Sequence, residues 1–224
     1  MCEKLNNVGM ERTKIDPLWI VLVIGIVVFA GIALLVKQER ITWLDTSFFQ
    51  LFSWVDDRHI PLFEGFSVLG SLPVIVTLTL LLIGYLVIVR KDTLGGLLVF
   101  AVVGGGNLLL DFIKEQMGRE RPDISLIAED GLAFPSGHAM IGIIIYGFLA
   151  YFVGRSIQSQ KIRISIVLLC SVLALLAGIS RFALAVHFPS DVIAGYALGL
   201  ALFAWSVRIH KRAHGKFQRA VQEK

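Results

Sequence analysis

The sequence predicts an all-α, polytopic membrane protein: six transmembrane helices with an outward-facing amphipathic helix between the first and second. Three observations predict it. The composition is too apolar and too poorly charged for an ordinary soluble domain. Of 224 residues, 56 % are apolar and 17 % charged, with a mean hydropathy of +0.76, where soluble domains run about 45–50 % and about 25 %. The apolar residues fall into six blocks, 18–36, 72–89, 94–113, 139–153, 164–179 and 192–207, and a hydrocarbon core of about 30 Å takes about 20 helical residues to cross. Basic residues are divided unevenly between alternate connections, as membrane orientation requires.

The first block follows basic residues. Its length and the lack of a small-x-small cleavage site before Lys37 predict a retained span rather than a removed signal peptide. In 41–55, Trp43, Leu44, Phe48, Leu51, Phe52 and Val55 recur at helical spacing around Asp45 and Gln50. This fits an amphipathic helix in the outer interface, or equally a cap packed on the bundle. Its proline-flanked continuation, 61–73, leads into the second span. Gly104, Gly105 and Gly106 in the third span read as close packing or as room for an acyl chain, and Gly195 with Gly199 in the sixth as close packing. The short fourth and fifth blocks extend by a turn at either end. The whole chain, 1–224, reads as a single domain.

Fourteen basic residues lie on the side of the N-terminus and seven on the other. Both termini are therefore expected in the cytoplasm of a plasma-membrane protein, with 37–71, 114–138 and 180–191 facing outward. The pI of about 9.2 reflects this topology and does not point to nucleic acid. Cys2 and Cys170 have no metal-ligand spacing and predict neither a disulfide nor a zinc site.

The outward segments hold three polar clusters at the membrane edge, where polar groups carry function. They are Lys114 to Pro122, Phe134 to His138, and Ser180 to Asp191. Lys114, Arg121 and Arg181 offer permanent cations, and guanidinium forks match phosphate oxygens. Pro135, Ser136 and Gly137 suit a helix start whose free N–H groups favour an anion. Ser136 either binds phosphate through its hydroxyl or caps the helix; Gly137 serves close approach or only the turn. Asp191, four residues after His187, can fix the imidazole tautomer and free the other nitrogen to attack. His138 then protonates the leaving alkoxide. The result is hydrolysis of a phosphate ester in two steps with charge held by side chains, so that neither metal nor cofactor is expected.

Lys-x6-Arg-Pro (114–122), Pro-Ser-Gly-His (135–138) and Ser-Arg-x5-His-x3-Asp (180–191) together resemble the three-part signature of the type 2 phosphatidic acid phosphatase superfamily. The resemblance implies a metal-independent lipid phosphate phosphatase. It carries the catalytic roles to His187, His138 and Asp191, and phosphate binding to Lys114, Arg121, Ser136, Gly137 and Arg181. The implied partners are the bilayer and a lipid substrate, either phosphatidylglycerophosphate or, as the alternative, undecaprenyl pyrophosphate; no protein partner is required. A phosphate-lipid transporter would show repeated halves, which this sequence does not. Outside the signature, Asp111 is expected to pair with Lys114. Arg119 and Glu120 are expected to be solvated loop residues, with a second headgroup phosphate as an option for Arg119. Ser180 is expected at a helix end, and His59 in the first outer loop either is structural or faces the site.

Overall fold

The structure, a computed structural model, describes residues 16–222 and side chains as far as residue 214. Cys2 and the basic residues Lys4, Arg12, Lys14 and Lys224 lie outside the described residues. Among those described there is no β-strand, and the helices run α1 (Pro17–Lys37), α2 (Thr42–Leu51), α3 (Ile60–Val68), α4 (Leu72–Gly84), α5 (Thr93–Met117), α6 (Gly137–Gly154), α7 (Gln160–Ala183) and α8 (Pro189–Gln222), with a π-helical turn, Tyr85–Val89, prolonging α4.

Local chemistry sets the boundaries. Asp16 accepts from the Leu18 N–H at 3.0 Å and Pro17 opens α1, where a missing N–H costs nothing. Asp92 accepts from Gly95 N–H at 2.9 Å to start α5, and Gly118, at φ +59°, ends it, a backbone state that glycine adopts without strain. Pro61 and Pro73 mark two helix starts rather than a linker. The second span therefore begins at Ile60, not at residue 72, and runs to Val89 with a break at 69–71. The carbonyl of Leu69 freed by that break accepts from the Tyr146 hydroxyl at 2.9 Å. α2 is the expected helix between the first two spans.

Six helices are long and apolar enough to cross a membrane. α6 and α8 are the inner pair, each 56 % buried over its apolar window, while α1 and α7 are 11 % and 17 % buried. Trp19, Ile24, Val27, Leu168 and Leu169 are exposed. In water that surface would drive aggregation; in lipid it is neutral, and packing rather than burial holds the helices together. Met140, Ile144, Ile145 and Phe148 of α6 form the centre of the core. Cys170 is a free, buried thiol.

Two of the expected glycine contacts hold. A Cβ on Gly195 would lie 2.6 Å from the Ser136 carbonyl oxygen, and one on Gly199 would lie 2.6 Å from that of Met140, so α8 meets α6 backbone to backbone. Of the three glycines 104–106 in the third span, Gly106 packs against Ile141 of α6, whereas Gly104 and Gly105 meet nothing within 4 Å, so the packing reading holds for Gly106 alone and the other two leave open space. Gly199→Ala should therefore lower the melting temperature in detergent, at an overpacking cost of about 1–3 kcal/mol. Gly31→Ala, whose new methyl meets nothing within 4 Å, should not lower it.

Candidate functional site

The C-terminal ends of α5 and α7, the N-terminal ends of α6 and α8, and the 118–136 segment share one end of the bundle, because successive spans alternate in direction. The three sequence clusters meet there. His138, in the first turn of α6, has Arg181, His187, Glu129 and Arg121 as its ionisable neighbours. The bare backbone of Gly70, in the break between α3 and α4, lies against its ring: a Cβ there would be 2.7 Å from His138 Cδ2.

His187 sits in the short turn between α7 and α8 and is 2 % exposed. Its Nδ1 is 2.8 Å from the Ala133 carbonyl oxygen and its Nε2 is 3.2 Å from Arg121 Nη1. A carbonyl can only accept and a guanidinium can only donate. These neighbours assign the proton to Nδ1 and leave the lone pair on Nε2. Asp191 Oδ2 is 3.7 Å from Nδ1, in ion-pair range, while the direct hydrogen bond goes to Ala133. Asp191 itself accepts from the Phe188 N–H at 2.8 Å, shaping the turn that carries His187. Burial holds His187 below the ordinary imidazole value of 6.5, against the opposing pull of Asp191.

The cations are engaged by the protein. Arg121 donates from Nε to the Gly131 carbonyl at 3.0 Å, from Nη2 to that of Asp130 at 2.9 Å and from Nη1 to that of Val186 at 2.7 Å. Arg181 is 2 % exposed and donates from Nη1 to Ser67 Oγ of α3 at 2.6 Å. Its Nη2 is 2.7 Å from Glu129 Oε1 without hydrogen-bond alignment, and its Nε has no partner. Glu129 Oε1 is also 3.8 Å from Arg121 Nη2. Burial raises the Glu129 carboxyl, but Arg181 and Arg121 outweigh it and hold it below the ordinary 4.5. Lys114, partly buried in the last turn of α5, feels the charges of Arg121 and Arg181.

Ser136 occupies the N-cap position of α6 but makes no capping bond; its Oγ is fully buried and has no partner. Of its two readings, the cap is thus not the one used, and the hydroxyl is uncommitted. Gly137 packs closely against Leu110: a Cβ there would lie 2.9 Å from Leu110 Cδ2, which would have to shift.

Arg119 corrects an expectation. It is not a solvated loop residue. Nη1 bonds Asp191 Oδ1 at 2.6 Å and Ser190 Oγ at 2.7 Å, Nη2 bonds Asp45 Oδ2 at 2.7 Å, and the guanidinium lies 3.9 Å from the Phe188 ring centre. Asp45 is 3 % exposed and also accepts from the Ser190 N–H at 2.9 Å. Asp45 was detectable as an acid within an apolar helical stripe. Glu129, Ala133 and Ser67 had no spacing signal. Among the described residues no salt bridge joins Asp111 to Lys114; Asp111 is exposed, and its charge acts on the Lys114 ammonium only at longer range. His59 bonds Asp56 at 2.8 Å and meets Trp54 edge-on, and Ser180 donates to the Ala177 carbonyl at the end of α7.

At the opposite end of the bundle, Asp92, His210 and His214 bring three potential ligand atoms within 4.8 Å. Arg155 Nη1 lies 3.2 Å from His210 Nδ1, which puts the ring proton on Nε2, 2.7 Å from Asp92 Oδ2. That nitrogen is committed to a hydrogen bond, and the group is a hydrogen-bonded clasp between the start of α5 and α8.

The model of the PAP2 superfamily matches residues 72–214, which contain all three clusters. Over 141 residues the chain is 37 % identical to phosphatidylglycerophosphatase B of Bacillus subtilis (strain 168), covering 62 % of this chain and 69 % of that protein. It is 32 % identical over 118 residues to lipid A 1-phosphatase of Rhizobium johnstonii, covering 47 % of this chain and 43 % of the relative. The crystal structure of a transmembrane PAP2-type phosphatidylglycerolphosphate phosphatase from Bacillus subtilis superposes with a TM-score of 0.78 at 28 % identity, covering 85 % of this chain and 96 % of that one.

Removing Arg119 would strand two buried carboxylates, and breaking such a pair costs about 3–5 kcal/mol. Arg119→Ala should thus unfold at a clearly lower temperature in detergent, and Arg119→Lys should recover only part of the loss, since one ammonium cannot reproduce the fork.

Proposed function

The chain belongs to the PAP2 superfamily, and from that premise we propose that it is a metal-independent lipid phosphatase that hydrolyses the phosphomonoester of phosphatidylglycerophosphate to give phosphatidylglycerol. The observation that carries the mechanism is the pair of neighbours on His187: a carbonyl at Nδ1 and a guanidinium at Nε2. They present a neutral imidazole with its lone pair toward the cationic cluster. The named relatives, phosphatases of lipids, support the substrate class.

In the first step His187 Nε2 attacks phosphorus. A P–N bond forms as the P–O bond to the glycerol breaks, and His138 gives its proton to the leaving oxygen. In the second step His138, now a base, takes a proton from water; the water oxygen attacks phosphorus and the P–N bond breaks, releasing phosphate and restoring His187. Arg121 Nη1, already beside Nε2, moves to a phosphate oxygen when substrate enters. Arg181, Lys114, the free Ser136 hydroxyl and the N–H groups opening α6 hold the remaining oxygens, so the charge of the transition state meets fixed donors. Asp191 holds the turn and balances the charge on His187. The basic bias supports cytoplasmic termini and a site on the extracytoplasmic face.

The test is phosphate release from phosphatidylglycerophosphate in detergent, with EDTA present, by the wild type and His187→Ala. The wild type should turn over without added metal and be inhibited by orthovanadate. His187→Ala should lose at least about a thousandfold in kcat, the scale seen when a nucleophile is removed, with its fold intact. A folded wild type that cleaves no lipid phosphate, or a variant near wild-type rate, would overturn the assignment. The pH profile gives a second check. Because the folded pKa of His187 is depressed below 6.5, the neutral nucleophile persists below that pH. The acid limb of kcat/KM assigned to this group should fall below 6.5, and its stability contribution, present above 6.5, should be lost as pH drops through the folded value.

A further inference from the structure

The phosphate-binding cations are not waiting free; the chain's own outer segment occupies them. Four of the five N–H groups of Arg121 face protein acceptors, two of them the Asp130 and Gly131 carbonyls. Glu129 extends from the same stretch, with one oxygen 2.7 Å from Arg181 and 3.8 Å from Arg121. Gly131, at φ +79°, turns the chain at that point. A carboxylate with two cations in range stands where phosphate oxygens would stand, and its side chain is 31 % exposed, so it has somewhere to go.

We propose that Glu129 is a specificity-determining residue: its carboxylate is a tethered competitor for Arg121 and Arg181 that a phosphomonoester displaces and a phosphodiester does not. The inference rests on the phosphatase reading above and adds how that site rejects its surroundings. An enzyme embedded in a bilayer meets phosphodiester headgroups at very high local concentration, among them its own product. Those groups carry one negative charge. A phosphomonoester carries close to two near neutral pH, and attraction to the same fixed cations scales with charge. Against an empty cradle both would bind. Against a tethered monoanion, the singly charged diester only exchanges one carboxylate-like charge for another and loses the advantage of the tether. The doubly charged ester gains, and opening the 129–131 stretch frees Arg121 at the same time. The lone pair of His187 is then released to phosphorus only when a true substrate has arrived.

The experiment uses the full-length protein in detergent, with dioleoyl phosphatidic acid as the phosphomonoester and dioleoyl phosphatidylglycerol as the competing diester. In the wild type the diester should inhibit weakly. Glu129→Gln should lower the KM for phosphatidic acid and lower the inhibition constant of phosphatidylglycerol further, by about tenfold, the size of one charge-assisted contact. Glu129→Asp, which keeps the charge, should stay near the wild-type ratio of the two constants. An unchanged ratio in Glu129→Gln overturns the proposal, whatever happens to kcat; a large loss of kcat with that ratio unchanged would make Glu129 part of the chemistry instead. If the wild type hydrolyses neither lipid phosphate, the phosphatase reading fails separately. The tether is then judged by thermal shift with inorganic phosphate: tighter binding by Glu129→Gln retains it, and equal binding removes it.

Discussion

The end of this bundle that carries His138 and His187 depends on one arginine between two buried acids. Asp45 and Asp191 are out of contact with water, and a carboxylate in that position is tolerable only when paired and hydrogen-bonded. Arg119 pairs with both and lies on the Phe188 ring. Through those contacts it fastens α2, the segment after α5 and the start of α8 to one another. The turn that carries His187 runs straight into Phe188, Ser190 and Asp191 of that clasp, so the orientation of the imidazole follows from an electrostatic constraint as much as from packing.

The cationic cluster follows from the same economy of donors. Permanent charges near hydrocarbon must be answered, and here they are answered by backbone carbonyls, by Ser67 and by Glu129. Few donors are left idle: the Nε of Arg181 and the hydroxyl of Ser136 stand out as buried and unpartnered. Buried polar atoms of this kind are rare, and they cluster where a ligand completes the set. The site is thus nearly satisfied by the chain itself, with a small remainder aimed inward.

Much of this was legible in the residues. Six apolar blocks gave the spans, and the ordered clusters at 114–122, 134–138 and 180–191 gave the residues that meet. The helix boundaries were less legible where proline was involved: Pro61 and Pro73 read as loop flanks, yet each begins a helix, because the first turn needs no N–H from that residue. The partners of the signature were hidden for a different reason. Arg119 looks like any charged residue in a loop, and Glu129 and Ala133 have no periodic relation to what they touch. A carbonyl that sets a histidine tautomer leaves no trace in residue type, since every residue has one. Long-range pairing of this sort is a property of the folded topology, and only Asp45, an acid within an apolar stripe, gave advance notice.

The connections at the two ends of the bundle are unequal. At the end away from the histidines the links at 90–92 and 155–159 are brief, whereas the segment at 118–136 is long and holds Arg119, Arg121, Glu129 and Ala133. On the proposed mechanism all the phosphate chemistry is therefore at one end of the bundle, and the packed centre of α6 separates it from the other. The consequence is a vectorial reaction. Phosphate cut from a lipid departs into a single compartment, and a lipid whose headgroup lies in the opposite leaflet is invisible to the enzyme until something turns it over. On that reading, flux through this protein is governed by transbilayer traffic of its substrate as well as by turnover at the site.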